Sequence, residues 1–541
     1  MSVMAYAPYG AGGVIIRVEA DIRRGIPGVD ITGLAEGAVR EASMRVQAAF
    51  RNSGFKFPAD RILINLAPAG MRKEGSALDL PIALAVMGAG SLAPVPPELL
   101  VMGELELSGR IRPVRGVLAA IAAGIEEGIS EFIVPEGNIA EAEILPARSG
   151  REMRFAAVST LNEAVEALLA REKNGVLRSS ARTIEERPHT DSVYVGAGED
   201  FSDVRGQAMY KRALEIAAAG GHNLMVFGPP GAGKTMLARR LPSIMAPLSP
   251  DEAVEVTKLY SLAGPSRAGS GGVAQGGFID KLITHPPFRA PHHSASAEGI
   301  LGGGRVPRPG EISLAHFGAL FLDEAPEFKS KVLQALREPL EDRLISISRA
   351  EGTIRLPAEF QLLLATNACP CGRLGKRHAE NCDAEKIDCL CSPQEIYRYW
   401  RKFCGALLDR IELRVPAAPS KLSEISGSSG GNEEPSAKVA ARVMTTVEAQ
   451  RQRFKGAAIR RNALIPAGKI KALCPMTEKG ANALNKALTA LGLSGRAYHG
   501  VLRVARTIAD LDGKDTLDTA HILEAVQHRR HGDDPYEILT A

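Results

Sequence analysis

Eight consecutive residues, Gly228, Pro229, Pro230, Gly231, Ala232, Gly233, Lys234 and Thr235, read GPPGAGKT and fit the spacing G-x-x-x-x-G-K-[ST]. Glycines so spaced let backbone N–H groups wrap a phosphate, and the N-terminus of the next helix favours the same anion. The flanks suit it: the apolar run LMVF before the motif reads as a strand, and TMLARRL after it as a helix. Lys234 then pairs with the β and γ phosphates of a nucleotide, and the Thr235 hydroxyl completes the shell of a Mg²⁺ ion. A Gly-rich turn without a ligand is the plain alternative, disfavoured by a full match in the required context.

Two further groups fit the same chemistry. ALFLDE puts Asp323 at the end of an apolar strand, able to hold Mg²⁺, with Glu324 beside it to orient or deprotonate an attacking water. LLLATN ends in Asn367, an amide at a strand's end that can reach the γ-phosphate and the water. Taken alone, the first is a common solvated strand end and the second a common loop residue; both gain meaning from the motif upstream.

Five of the seven cysteines crowd into CPCGRLGKRHAENCDAEKIDCLC, which in a reducing compartment favours a metal knuckle over disulfides. Two C-x-C pairs at the ends of a loop can supply the four thiolates of tetrahedral Zn²⁺. Cys369, Cys371, Cys389 and Cys391 are the favoured ligands, with Cys382 as a substitute. Free thiols are the competing reading, because five cysteines exceed four seats. Cys404 and Cys474 read as buried thiols.

These groups need a scaffold, and the apolar pattern supplies one. Over residues 191–420, KRALEIAAAG reads as a helix and LMVFG, ALFLDE and QLLLATN as continuous apolar strands, which predicts a parallel sheet with helical crossovers. Residues 1–170 mix strands (GVIIRVEADI, RILINLAP) with helical spacing (AVREASMRVQAAF, LDLPIALAVM), an α/β pattern. Residues 439–541 are helical throughout, as in ANALNKALTAL and TAHILEAVQHRR. Two joints, 171–190 and 421–438, are polar, Gly- or Ser-containing and aperiodic, and the second reads as a flexible loop.

The 541 residues suit about three domains at roughly 100–200 residues each. With 45% hydrophobic and 24% charged residues, a largely disordered chain is excluded. Lys plus Arg number 66 against 62 Asp plus Glu, so a polybasic binder is excluded too, and any nucleic-acid surface must be a local patch. MSVMAYAPYGAGG lacks the basic and apolar regions of a secretion signal, so a cytoplasmic location is expected. The most apolar stretch, residues 78–95, carries Asp79, two prolines and two glycines, and no transmembrane span or membrane partner is expected.

The P-loop, FLDE and Asn367 together resemble the Walker A, Walker B and sensor 1 elements of the AAA+ ATPases. The resemblance implies ATP and Mg²⁺, with the metal at Thr235 and Asp323, Glu324 and Asn367 as catalytic groups, and an arginine from a neighbouring subunit. LLDRIEL offers Arg410, similar to the arginine finger of the branch containing magnesium chelatase, MCM helicases and MoxR proteins. SGRAYHGVLRVARTIADL offers Arg496 as sensor 2, with Arg503 as second choice; a solvated helix arginine is the ordinary alternative. The stretch containing PFRAPHHSAS looks like that branch's helix-2 insert, where His292 and His293 are ligands, substrate contacts or simply polar loop residues. LISISRAEGTIRL alternates around a Glu351-Gly352 turn and resembles the pre-sensor-1 hairpin, which turns Arg349 and Arg355 toward DNA unless they serve only as edge protection.

The first domain narrows the family. PGVDITGLAEGAVREASMRVQAAF, INLAPAGMRKEGSALDLPIALA and GELELSGRIRPVRGVLAA resemble the Lon-protease-like (S5-type) domain that precedes the ATPase in the ComM/YifB family, and the resemblance covers nearly the whole chain. Ala77 appears where the Lon motif has its serine, and PVRGVLAA offers no lysine partner, so a non-proteolytic domain is expected; Ser76 with Lys73 is the unorthodox alternative. The family implies a homo-hexameric ATP-driven ring on single-stranded or branched DNA, a branch-migration helicase acting in recombination during natural transformation. The competing readings are a magnesium-chelatase-like motor remodelling a protein partner and a Lon-like ATP-dependent protease.

Overall fold

The computed structural model describes residues 1–33, 37–71, 73, 75–145, 152–177, 199–264, 278–304, 307–349, 352–374, 389–403, 405–417, 433–491 and 494–529. Its first sheet has seven strands in the order Gly28–Thr32, Arg61–Ala67, Gly12–Arg23, Ser2–Tyr9, Leu99–Val101, Glu131–Pro135 and Arg154–Val158. The two antiparallel pairings that Gly12–Arg23 makes with its neighbours Ser2–Tyr9 and Arg61–Ala67 carry side chains with a period of two: Ile62, Ile64 and Leu66 are buried while Arg61 and Leu63 face out. Helices Gly37–Asn52 and Asp79–Ala89 pack on the buried face through Val46, Phe50, Leu80 and Leu84. Helix Val117–Glu126 packs on the other face with Tyr6, Leu100 and Phe132. The apolar 78–95 stretch is therefore a core helix, and among the described residues no helix is long and apolar enough to cross a membrane.

The second sheet is parallel, with the order Phe288–Arg289, Ala319–Leu322, Gln361–Thr366, Leu224–Phe227 and Leu413–Pro416. Its three central strands are buried at every position, as a sheet covered on both faces requires. The two edge strands escaped the sequence pattern: one has two residues, and the other carries the fully buried Arg414, whose Nη2 donates to Leu408 O at 2.8 Å. The C-terminal part is helical, in Ser436–Arg453, Ala467–Leu473, Glu478–Leu491, Gly495–Leu511 and Thr519–Arg529. Its core is continuous with that of the parallel sheet through Val443, Val447, Val504 and Ile508.

Both joints are more ordered at their ends than their composition suggests. Helix Leu161–Asn174 runs through Arg171, whose Nε donates to Glu131 at 2.6 Å. The last residues of the second joint are tied down as well: Lys211 pairs with Glu433, Arg442 with Glu434, and the helix starts at Ser436. Helix Pro250–Ala263, opened by a Ser249–Glu252 capping box, joins the first two parts. Its Ser261 Oγ donates to Glu141, a buried carboxyl that desolvation pushes above its usual range.

Candidate functional site

Leu224–Phe227 pairs in register with both neighbours, Phe227 opposite Thr366 and opposite Pro416, so the chain leaves the sheet at Gly228. A Cβ on Gly228 would stand 2.2 Å from Ala417 O, which only glycine avoids. Gly231 and Gly233 have φ of +82° and +79°, and helix Lys234–Arg239 begins directly after them.

Five residues named from the sequence converge at this exit. Lys234 Nζ donates to Gly228 O at 2.8 Å, Pro229 O at 2.9 Å and Asn367 Oδ1 at 3.1 Å. Thr235 Oγ1 donates to Asp323 Oδ2 at 2.7 Å. Burial pulls the Lys234 ammonium below its usual range, against the attraction of the Asp323 and Glu324 carboxylates. The ammonium thus fills its donors with carbonyls and an amide, groups that phosphate oxygens can replace. Glu324 has φ 47° and ψ 45°, a left-handed backbone that costs a non-glycine residue energy and is typical of functional positions. Its side chain is 61% exposed, and His293 Nδ1 lies 3.6 Å from Glu324 Oε2. Strand Phe288–Arg289 pairs beside Ala319–Leu322, which brings the His292-His293 pair, rings 4.1 Å apart, to the same end of the sheet.

Arg410 and Arg496 converge elsewhere. Both bind the Glu341 carboxylate, Arg410 directly and Arg496 through Nη2 at 3.2 Å. Hydrogen bonding from Arg410 holds the Glu341 carboxyl below its usual range. Glu341 and Arg410 line a cavity of about 660 Å³ with residues of the 344–349 strand. Arg503 donates instead to Ile465 O at 2.8 Å. In the hairpin of Leu344–Arg349 with Gly352–Pro357, Gly352 pairs with Arg349 in the ladder rather than sitting in the turn, and Arg355 is exposed.

Comparisons with known proteins fit this layout. Family models described as magnesium chelatase subunit ChlI match residues 200–425, as subunit ChlI of Mg-chelatase residues 18–138, and as the ChlI C-terminal part residues 433–529. The chain is 40% identical to Competence protein ComM of Haemophilus influenzae, across 97% of each protein. The chain belongs to the ComM/YifB family. A further member, Uncharacterized protein YifB of Escherichia coli, is 38% identical over 97% of this chain and 96% of its own length. The Lon-like character of the family's first domain is matched by a Lon protease of Salinispora arenicola, 30% identical over 145 residues, 26% of this chain and 19% of that one. Membership of this AAA+ ATPase family implies ATP and Mg²⁺ as cofactors.

Two other features of the ComM/YifB chain have their own geometry. In the Lon-like domain Ser76 Oγ donates to Glu104, whereas Lys73, fully buried, donates to the carbonyls of Gly33, Leu66 and Pro68. The two side chains make no Ser–Lys hydrogen bond, so the unorthodox dyad is not assembled. The sulfurs of Cys369, Cys371, Cys389 and Cys391 all lie within 4.8 Å of one another, with contacts of 3.4 and 3.6 Å. Four sulfurs around one Zn²⁺ at ~2.3 Å would be ~3.8 Å apart, so the set fits that ion. Desolvation opposes ionisation throughout the set and pushes the Cys389 and Cys391 thiols up, whereas at Cys371 hydrogen bonds from the Arg373 N–H and neighbouring thiols outweigh it and pull that thiol below its usual range. Cys382 and Cys404 lie outside the described residues; Cys474 is buried. The sequence reading missed Glu341 and the His293–Glu324 contact, because neither belongs to a local pattern.

Proposed function

We propose that this chain is an ATP-hydrolysing motor that assembles as a homo-hexameric ring on single-stranded or branched DNA and migrates DNA branches in recombination. The observation that carries it is the division of charge: Lys234, Thr235, Asp323, Glu324 and Asn367 form one cluster, while Arg410 and Arg496 gather at Glu341. This supports a nucleotide site that one copy opens and the arginines of the next copy complete. The name of the Haemophilus relative, a competence protein, supports the link to DNA uptake.

Lys234 exchanges its carbonyl partners for β and γ phosphate oxygens, and Thr235 with Asp323 would hold Mg²⁺, which supplies neutralising charge. Asn367 orients the attacking water, and Glu324 accepts its proton once the carboxylate turns from His293. Arg410 of the adjacent copy meets the charge spreading over the transferred phosphoryl oxygens. Cys369, Cys371, Cys389 and Cys391 would hold one structural Zn²⁺, which crosslinks the chain. The domain limits 1–170, 191–420 and 439–541 belong to the same reading.

A chelatase-like motor acting on a protein partner is the second reading, favoured by the three ChlI family models. Branch migration of a synthetic four-way junction separates the two. ATP-dependent strand exchange that disappears in Lys234→Ala supports the DNA motor; an active ATPase that never moves the junction supports the alternative.

A further inference from the structure

The four-cysteine centre is coupled to the nucleotide cluster by three separate connections. The first is covalent: strand Gln361–Thr366 is followed directly by Asn367, and the fully buried Cys369 comes two residues later, its Sγ accepting from Leu374 N at 3.4 Å. The second is steric. Gly372 has φ +71°, and a Cβ there would stand 3.1 Å from Pro230 Cδ and 3.9 Å from Asn367 Nδ2, so the turn holding Cys371 lies against both the P-loop and the Asn367 amide. The third returns from the other cysteine pair. Cys391 leads into helix Pro393–Trp400, whose Trp400 Nε1 donates to Ala368 O at 3.0 Å, while its Tyr399 hydroxyl bonds Thr366 Oγ1 at 3.1 Å. Trp400 also packs edge-on against Phe227, the last residue of the strand entering the P-loop, at 5.8 Å.

We infer that the four thiolates form a metal-dependent clamp on Asn367, so that metal occupancy regulates ATP turnover and leaves ATP binding largely intact. The inference rests on the reading of the cysteines as a Zn²⁺ site. The separation of effects follows from the contacts: Lys234 Nζ is held within the P-loop by Gly228 O and Pro229 O, whereas Asn367 leads directly into Ala368, whose carbonyl is held by Trp400, and Cys369. When the thiolates lose their ion, the two C-x-C ends part, the turn at Gly372 withdraws from Pro230, and Asn367 loses its fixed position over Lys234.

The chain's single tryptophan, Trp400, reports on this element. The test uses the full chain purified under reductant, with metal content, nucleotide Kd, ATPase kcat and Trp400 emission measured before and after chelation and again after adding Zn²⁺. About one Zn²⁺ per chain is expected, with loss of about 10-fold or more in kcat on removal, Kd within about 3-fold, a red shift of Trp400 emission, and recovery with Zn²⁺. Gly372→Ala, which keeps every thiolate, should retain Zn²⁺ and bind ATP yet turn over slowly. A chain without metal overturns the Zn²⁺ reading and the clamp with it. Metal whose removal leaves kcat and emission unchanged, or a Gly372→Ala variant with normal metal and normal kcat, overturns the clamp alone. Loss of nucleotide binding in step with turnover also overturns it, since that marks a general folding role.

Discussion

His293 Nδ1 stands 3.6 Å from the carboxylate of Glu324, the residue proposed to activate water. The contact comes from the segment that follows the edge strand Phe288–Arg289, which sets an imidazole beside the proposed base. His293→Ala is expected to raise ATP hydrolysis in the absence of DNA. An exposed ion pair is worth at most about 1 kcal/mol, which bounds the rise at about 5-fold. Steady-state ATPase assays without DNA check this, and an unchanged or lower rate contradicts it.

Lys234→Ala and Glu324→Gln should fail differently. In the proposed site Lys234 would hold ground-state phosphates through donors now spent on Gly228, Pro229 and Asn367, so its loss should abolish nucleotide binding. Glu324 is proposed to serve the water, so Glu324→Gln should keep ATP bound and unhydrolysed. Fluorescent-nucleotide titration beside single-turnover hydrolysis distinguishes the two; equal loss of affinity in both would count against the roles assigned.

Arg410→Ala should bind ATP nearly normally and hydrolyse it about 10³-fold or more slowly, because a finger acts on charge that develops in the transition state. Mixing it with Lys234→Ala chains builds some interfaces with an intact P-loop facing an intact arginine. Those rings should regain activity. Mixtures that exchange subunits and stay inactive would remove Arg410 from the neighbouring site.

Arg442 ties its C-terminal helix to the core through Glu215 and pairs with Glu434 just before that helix begins. Its hydrogen bonds pull the Glu434 carboxyl from the ordinary 4.5 down to about 2. A depressed acid stabilises the fold above its unfolded pKa and loses that contribution as pH falls through the folded value. Arg442→Ala should therefore lower Tm at pH 7, by the equivalent of about 1 kcal/mol once solvent screening is counted. The gap to wild type should narrow below pH 4.5 toward 2, and a gap constant with pH would exclude Glu434 as its source.

The parts of the site that were legible are those that chemistry confines to a short stretch. A phosphate cradle needs its glycines, lysine and threonine in sequence, and the Asp323-Glu324 pair and Asn367 follow directly on apolar strands. The relations that escaped the sequence are long-range. Glu341 joins Arg410 and Arg496 across 69 and 155 residues, and no periodicity marks such a carboxylate. Lys73 near Ser76 suggested a dyad, but three backbone carbonyls outcompete the serine for its ammonium. Ser436–Lys438 read as loop because Ser, Gly and Glu dominate that stretch, yet Pro435 opens a helix there and the two glutamates pin it.

The central claim, a motor that works on DNA, is tested most directly by the ATPase rate of the full chain measured with no DNA, with duplex, with single strands and with a branched junction at one fixed salt concentration. The account predicts clear stimulation by single-stranded or branched DNA, lost in Lys234→Ala. A rate indifferent to every DNA, from a chain that still binds and hydrolyses ATP, would contradict it.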